Sequence, residues 1–263
     1  MDMGLQGRVA AVAASSAGLG RATAHALAQE GARVALCSRD ESRVRAAAEA
    51  IARETGAETL PITADVSRTE DAQRFVAEAA ARWGRLDVLV TNAGGPPPGT
   101  FAELGDEEWA RAVELNLMST TRLIRAALPH MRANGWGRIV NITSTAVKAP
   151  IPGLLLSNAV RAAVIGMAKT LATEVAAENI LVNNVCPGRL DTDRVRSLDE
   201  DRARRAGISA QDARRENEAQ IPLGRYGAPQ ELANLVVFLA SERASYITGA
   251  TIQVDGGALR NLL

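Results

Sequence analysis

Cysteine, histidine and tyrosine occur only twice each in the 263 residues. Cys37 and Cys186 each lie in an apolar run, with no CxxC spacing and no metal-type neighbours. They are therefore expected as buried, reduced thiols, and no metal site is expected. Net charge is also absent, since Lys+Arg and Asp+Glu both count 30. A neutral chain gives no electrostatic reason to expect nucleic acid or an anionic membrane as partner. No uninterrupted apolar segment is long enough to span a bilayer. The opening "MDMGLQGRVAAVAASS" lacks a basic segment followed by a long apolar one, so it is expected as a strand and not a signal peptide. A soluble, cytoplasmic protein is the expectation.

Hydrophobic residues make up 47% of the chain, and there is no internal repeat. That suits a single packed α/β domain over residues 1–263. Short β-rich runs alternate with longer helical patterns. The strands are expected at Arg8–Ala14, Arg33–Cys37, Glu58–Thr63, Leu86–Thr91, Gly137–Thr143, Leu181–Cys186 and Ala250–Val254. Helices are expected at Gly20–Glu30, Asp40–Glu54, Thr69–Trp83, Asp106–Met131 and Leu155–Ala177. This alternation implies right-handed βαβ crossovers and a Rossmann-type, doubly wound, seven-stranded parallel sheet with helices on both faces. Ligands of such sheets sit at the carboxyl ends of the strands. One segment, 189–220, breaks the alternation with mixed charge. It reads either as a pair of solvated surface helices or as a lid whose arginines are available to an acidic group.

The first strand runs into "AASSAGLGRATAHALAQEGA". Gly18 and Gly20 open a helix directly after a strand, where backbone N–H groups and the helix N-terminus can hold a pyrophosphate. Here the chain resembles the short-chain dehydrogenase/reductase family, and within it the β-ketoacyl carrier-protein reductases. The family's TGxxxGxG falls on Ala13 to Gly20, with Ser15, Gly18, Leu19 and Gly20 at cofactor-binding places and Ala14 where the first glycine stands. Alanine makes that turn only where φ is negative or strain is tolerated. "ADV" resembles the adenine-binding segment, with Asp65 and Val66. "TNAGG" resembles the family's NNAG, with Asn92, Ala93 and Gly94. "VNNVCPG" resembles its VNxVxPG, with Pro187 and Gly188 beside the nicotinamide and Leu190 and Thr192 following. The resemblance extends from Gly7 to Gly257 and includes "IPLGRYGAPQELANLVVFLAS" and "ASYITGATIQVDGG".

The second strand ends in Ser38 and Arg39. An acidic residue at the Ser38 place would bond both ribose hydroxyls, whereas a guanidinium pairs well with a 2′-phosphate. NADP(H) is therefore favoured over NAD(H).

The resemblance implies a catalytic group of Asn, Ser, Tyr and Lys. Asn116 and Ser144 stand at the first two places. The family's YxxxK falls on Ser157 and Arg161, so neither the tyrosine nor the lysine is present there. Residues i and i+4 share a helix face, which points Ser157 and Arg161 together. Arg161 keeps a positive charge for a ribose hydroxyl or an anionic substrate group. It exchanges no proton near neutral pH, its pKa being above about 12. Ser157 is too weak an acid to copy a phenol. Tyr226 and Tyr246 lie in C-terminal segments expected to be structural, and His25 and His130 fall away from the site. Lys148, four residues after Ser144, reads as a solvated loop lysine or as the one titratable replacement acid. "GGPPPG" is expected as a stiff rim loop.

The implied function is an atypical NADP(H)-dependent oxidoreductase, 3-oxoacyl carrier-protein reductase-like, acting on a small-molecule carbonyl or acyl-thioester substrate. The alternatives are a non-redox lyase, cyclase or isomerase in the same pocket, or an inactive cofactor-binding or partner subunit. A homo-oligomer, dimer or tetramer, is implied by the resemblance.

Overall fold

The computed structural model describes residues 2–260. Seven strands form one parallel sheet in the order β3-β2-β1-β4-β5-β6-β7. They are β1 (Val9–Val12), β2 (Arg33–Ser38), β3 (Thr59–Thr63), β4 (Val88–Thr91), β5 (Gly137–Ile142), β6 (Ile180–Pro187) and β7 (Thr251–Val254). Each expected strand is present, trimmed or extended by a few residues where its edge leaves the ladder. Chain order reverses between β1 and β4, which opens a crevice above the middle of the sheet.

Side-chain alternation along the strands divides the core into two layers. Ala10, Val12, Val34, Leu36, Val88, Val90, Val140 and Ile142 pack against α1 (Gly18–Gln29), α2 (Glu41–Thr55) and α9 (Pro229–Ala240). Val9, Ala11, Ala35, Cys37, Leu89 and Ile139 face α3 (Thr69–Trp83), α5 (Ser119–Asn134) and α6 (Leu155–Val175). With few aromatics available, the layers are close-packed from Ala, Val, Leu and Ile. Both cysteines are buried and unpaired, and burial pushes the Cys37 thiol up to about 12.

A row of polar groups crosses the sheet on the second of these faces. Thr91 donates to Asn141 Oδ1 at 2.7 Å, and Asn141 Nδ2 donates to Asn184 Oδ1 at 3.0 Å. Asn184 Nδ2 then donates to Thr251 Oγ1 at 3.2 Å. These residues are register partners on β4, β5, β6 and β7.

The helix expected over Asp106–Met131 is not continuous. It is α4 (Asp106–Ala112), a π-helical segment (Val113–Met118) and α5. Three hydroxyls at the junction turn back on the helix: Ser119 to Leu115 O, Thr120 to Asn116 O and Thr121 to Leu117 O. Such back-bonding bends helices, and π-turns insert one residue into the ladder. Asn116 lies within this segment.

The charged segment forms two helices, α7 (Asp193–Ala206) and α8 (Ala210–Ala219). Their outer surface carries ion pairs such as Arg196–Asp193 and Arg214–Glu218. Their inner side holds a buried carboxylate, Asp199, which accepts from Arg189 at 3.0 Å, Asn217 Nδ2 at 2.8 Å and the Tyr226 hydroxyl at 2.9 Å. Arg214 stacks 4.7 Å from the centre of the Tyr226 ring.

Candidate active site

A cleft of about 550 Å³ lies over the carboxyl ends of β1, β4, β5 and β6. Its walls bring together Gly18, Leu19, Asn92, Ala93, Gly94, Ser144, Ser157, Arg161, Pro187, Gly188 and Leu190. These residues come from five separate stretches of sequence and meet only because parallel strands end together.

The glycine turn holds the first wall. Ala14 adopts φ +48°, the left-handed conformation that favours glycine. The turn is therefore kept in spite of the methyl group. Gly20 packs so tightly that a Cβ there would come within 2.3 Å of Ala14 O. Asn92 Nδ2 donates to Ala14 O at 3.2 Å, clasping β4 to the turn. At the start of α1, Ala17 provides no side-chain cap and the first turn carries no acidic residue. Its leading N–H groups remain available to a ligand, and the helix dipole there favours negative charge. These features fit a dinucleotide pyrophosphate.

Ser15, expected among the cofactor contacts, does not face the cleft. Its side chain is fully buried; the hydroxyl donates to Val12 O at 2.8 Å and accepts from Cys37 N at 3.1 Å. The first bond closes back on β1 and the second ties the turn to β2, so the hydroxyl proton is already committed. Ser38, Arg39, Asp65 and Val66 lie beyond the cleft walls, toward the β2–β3 end of the sheet. Ser38 Oγ accepts from Asp40 N and Arg39 is exposed. Asp65 Oδ1 is engaged by the Ser67 hydroxyl and amide. The Val66 side chain belongs to the core, so only its backbone can meet a ligand.

Ser144 caps a short 3₁₀ turn, with its Oγ accepting from Ala146 N at 3.1 Å. That bond uses a lone pair and leaves the hydroxyl proton free to donate into the cleft. Beside Ser157, Asn158 fastens the start of α6 to the preceding loop, its Oδ1 accepting from Ile151 N at 3.2 Å and its Nδ2 donating to Ile151 O at 3.1 Å. Ser157, 8% exposed, lines the cleft wall. Asn116 is buried; its Nδ2 donates to Gly94 O at 3.0 Å, whereas Oδ1 is buried with no protein partner. The π-turn therefore serves to bring an amide under the β4 loop.

Arg161 is 9% exposed. One terminal nitrogen, Nη1, donates to the carbonyls of Ile142 and Thr143, both at 3.2 Å. Burial and the nearby charge of Arg194 bring it down to about 10. Arg194, from the first turn of α7, donates to Pro96 O at 2.8 Å and lines the same cleft. In the sequence it is one arginine among many in a charged segment; only its seat opposite the β4 loop distinguishes it.

The other proton donors considered lie elsewhere. Tyr226 is buried with its hydroxyl on Asp199, and Tyr246 is fully exposed. His25 pairs with Glu54 at 3.0 Å. Neither histidine, neither tyrosine and not Lys148 is among the residues lining the cleft.

Comparison with known proteins agrees with this architecture. Residues 13–258 match the family model described as Enoyl-(Acyl carrier protein) reductase. Dehydrogenase/reductase SDR family member 4 of Bos taurus is 38% identical, over 98% of this chain and 89% of its own. The 3-oxoacyl-acyl-carrier-protein reductase FabG of Escherichia coli is 38% identical, over 97% of this chain and 98% of its own. L-sorbose reductase from Gluconobacter frateurii, solved in complex with NADPH and L-sorbose, superposes with a TM-score of 0.95 at 36% identity, each chain covered in full. A match this long, on a sheet of this order, makes the chain a member of the short-chain dehydrogenase/reductase family of oxidoreductases.

Proposed function

We propose that the protein is an atypical NADP(H)-dependent carbonyl reductase whose proton comes from water and not from a side-chain phenol. The observation that carries this is the meeting, in one cleft, of the glycine turn, Asn92–Gly94, Pro187–Gly188 and two hydroxyls, Ser144 and Ser157. Held against the glycine turn, Asn92–Gly94 and Pro187–Gly188, a dihydronicotinamide would supply a hydride to the carbonyl carbon. The C=O π bond would open and its oxygen would take a proton from water, which leaves as hydroxide.

The chain's own residues divide the remaining work. Free Ser144 and Ser157 hydroxyl protons hold the developing oxyanion, as fixed donors do in other acyl and carbonyl chemistry. Arg161 supplies positive charge without exchanging a proton. Asn92 and Asn116 hold the turn and the β4 loop against which the cofactor lies. Arg39 and Ser38 favour the 2′-phosphate of NADP(H) over a free ribose; that NADPH is bound in the sorbose reductase complex supports the same choice. We propose the α7–α8 pair as the lid over the substrate, and a homo-oligomer built on the long helices α5 and α6. Light scattering that returns only a 27.7 kDa species would rule out the oligomer.

The central test is Ser157→Tyr combined with Arg161→Lys. The double variant is expected to reduce ketones and ketoacyl thioesters at least tenfold faster than the wild type, because a phenol beside an ammonium restores an internal acid. A double variant that binds NADPH by fluorescence yet remains inert on every carbonyl sinks the reading. Tight NADPH binding without oxidation by the wild type would instead favour a non-redox enzyme.

A further inference from the structure

Four charged side chains line the cleft: Arg161, Arg189, Asp193 and Arg194. Two of them are neutralised by nearby partners. Arg189 pairs with Asp199 at 3.0 Å, and Asp193 pairs with Arg196 at 2.7 Å. The other two guanidinium groups meet only backbone carbonyls. Arg161 bonds Ile142 O and Thr143 O, and Arg194 bonds Pro96 O. Among the described residues, no carboxylate lies within ion-pair distance of either one.

For Arg161, which is 9% exposed, such an arrangement is unfavourable on its own. A buried cation is retained where it is paired or where a ligand brings the counter-charge. Arg161 is buried, and its burial and the charge of Arg194 depress it; Arg194 stands exposed at the cleft mouth, where partial desolvation depresses it and the charge of Asp201 acts the other way. Carbonyl oxygens only partly repay the loss of water. The two guanidinium groups thus form a positive patch, Arg161 within the cleft and Arg194 at its mouth, in a lining that otherwise holds apolar residues, small hydroxyls, amides and the two paired charges. Guanidinium groups offer fork-like donors that match a carboxylate.

The patch is also placed on the substrate side. Arg161 is bonded to the carbonyl of Thr143, the residue before Ser144, and lies one helical turn after Ser157. Arg194 reaches over Gly95 and Pro96, beyond the Asn92–Gly94 segment. The N–H groups that fit a pyrophosphate belong to the start of α1, a different wall.

We infer that the substrate is an oxo acid, whose free carboxylate binds between Arg161 and Arg194 while its neighbouring carbonyl meets Ser144 and Ser157. This inference rests on the reductase reading and narrows it: a carrier-protein thioester, which has no free carboxylate beside the ketone, would be the poorer ligand. It also assigns Arg194 as a specificity-determining residue.

The test compares matched ligands on the NADPH-loaded chain by calorimetry and by NADPH oxidation. The probes are 2-oxobutanoate and 3-oxobutanoate, their methyl esters, and the N-acetylcysteamine thioester of 3-oxobutanoate. At least one acid is expected to bind ten times or more tightly than its ester or thioester at low ionic strength, with the advantage shrinking as salt is raised. Arg194→Gln should abolish that advantage and Arg194→Lys should recover part of it, with NADPH affinity unchanged in both. Thermal melting confirms that the variants are folded. Acids that bind no better than their esters, or no binding by any probe, overturn the inference. So does an Arg194→Gln variant whose NADPH affinity falls tenfold, since the arginine would then serve the cofactor. Acids that bind preferentially but oxidise no NADPH leave the carboxylate site standing and sink the reductase reading instead.

Discussion

Ala14 holds a backbone conformation that an L-residue with a Cβ adopts at a cost of about 1 kcal/mol. Its methyl group also lines the cleft, at the turn that fits the pyrophosphate. Replacement by glycine should relieve the strain and clear the approach of the phosphates together. Ala14→Gly is expected to raise Tm by about 2 to 4 °C and to tighten NADPH binding. A lower Tm in calorimetry would mean that the surrounding turn tolerates the alanine without strain. This residue also marks the limit of reading from sequence. The glycine spacing around Gly18 and Gly20 announced the turn, but the sign of φ at Ala14 had two possible outcomes. Ser15 lies one residue further and was expected at the cofactor. A serine beside a glycine loop carries no mark of which way it faces, and only β2's Cys37, brought alongside by strand pairing, decides that it turns inward. Arg194 was hidden for the opposite reason: it stands among many surface arginines of the same segment.

Among the elements, the α7–α8 pair is fastened by chemistry that its sequence conceals. The stretch is so charged that it reads as solvated, yet Asp199 and Asn217 are buried and meet Tyr226 and Arg189 from the main body. Tyr226→Phe removes one of three donors to a buried carboxylate, at a cost of about 2 kcal/mol. The urea midpoint should fall accordingly. The pH profile of reduction should not move, because the Tyr226 hydroxyl is committed to Asp199 and burial holds its pKa above the usual value for a phenol. A shifted profile would reinstate Tyr226 as a proton donor. The π-turn at Asn116 was equally illegible: the apolar period runs through 106–131 without a break, and the back-bonding hydroxyls that accommodate the extra residue follow it. The strands, in contrast, were legible because each is a short β-rich run closed by turn residues.

For the molecule as a whole, the fold follows from alternation alone, and the position of the cleft follows from the fold. Parallel strands end at one edge of the sheet, and the reversal of order between β1 and β4 opens a crevice there. The chemistry of that crevice depends on side chains contributed from far apart in the chain, so it needed coordinates. The amide row from Thr91 through Asn141 and Asn184 to Thr251 belongs to this scale, because it joins four strands. Moving β5 along by one place would turn Asn141 toward the aliphatic layer beneath α1 and α9, leaving its neighbours on β4 and β6 with dry, unanswered groups. The row therefore acts as a lock with a single setting. Native-state hydrogen exchange should find the amides of β5 and β6 opening together, with one shared free energy, and Asn141→Leu should let them open separately. Strands that already exchange independently in the wild type would show the lock to be idle. If it holds, misaligned sheets are rejected during assembly before the ends of the strands, and hence the reacting groups above them, ever come into place.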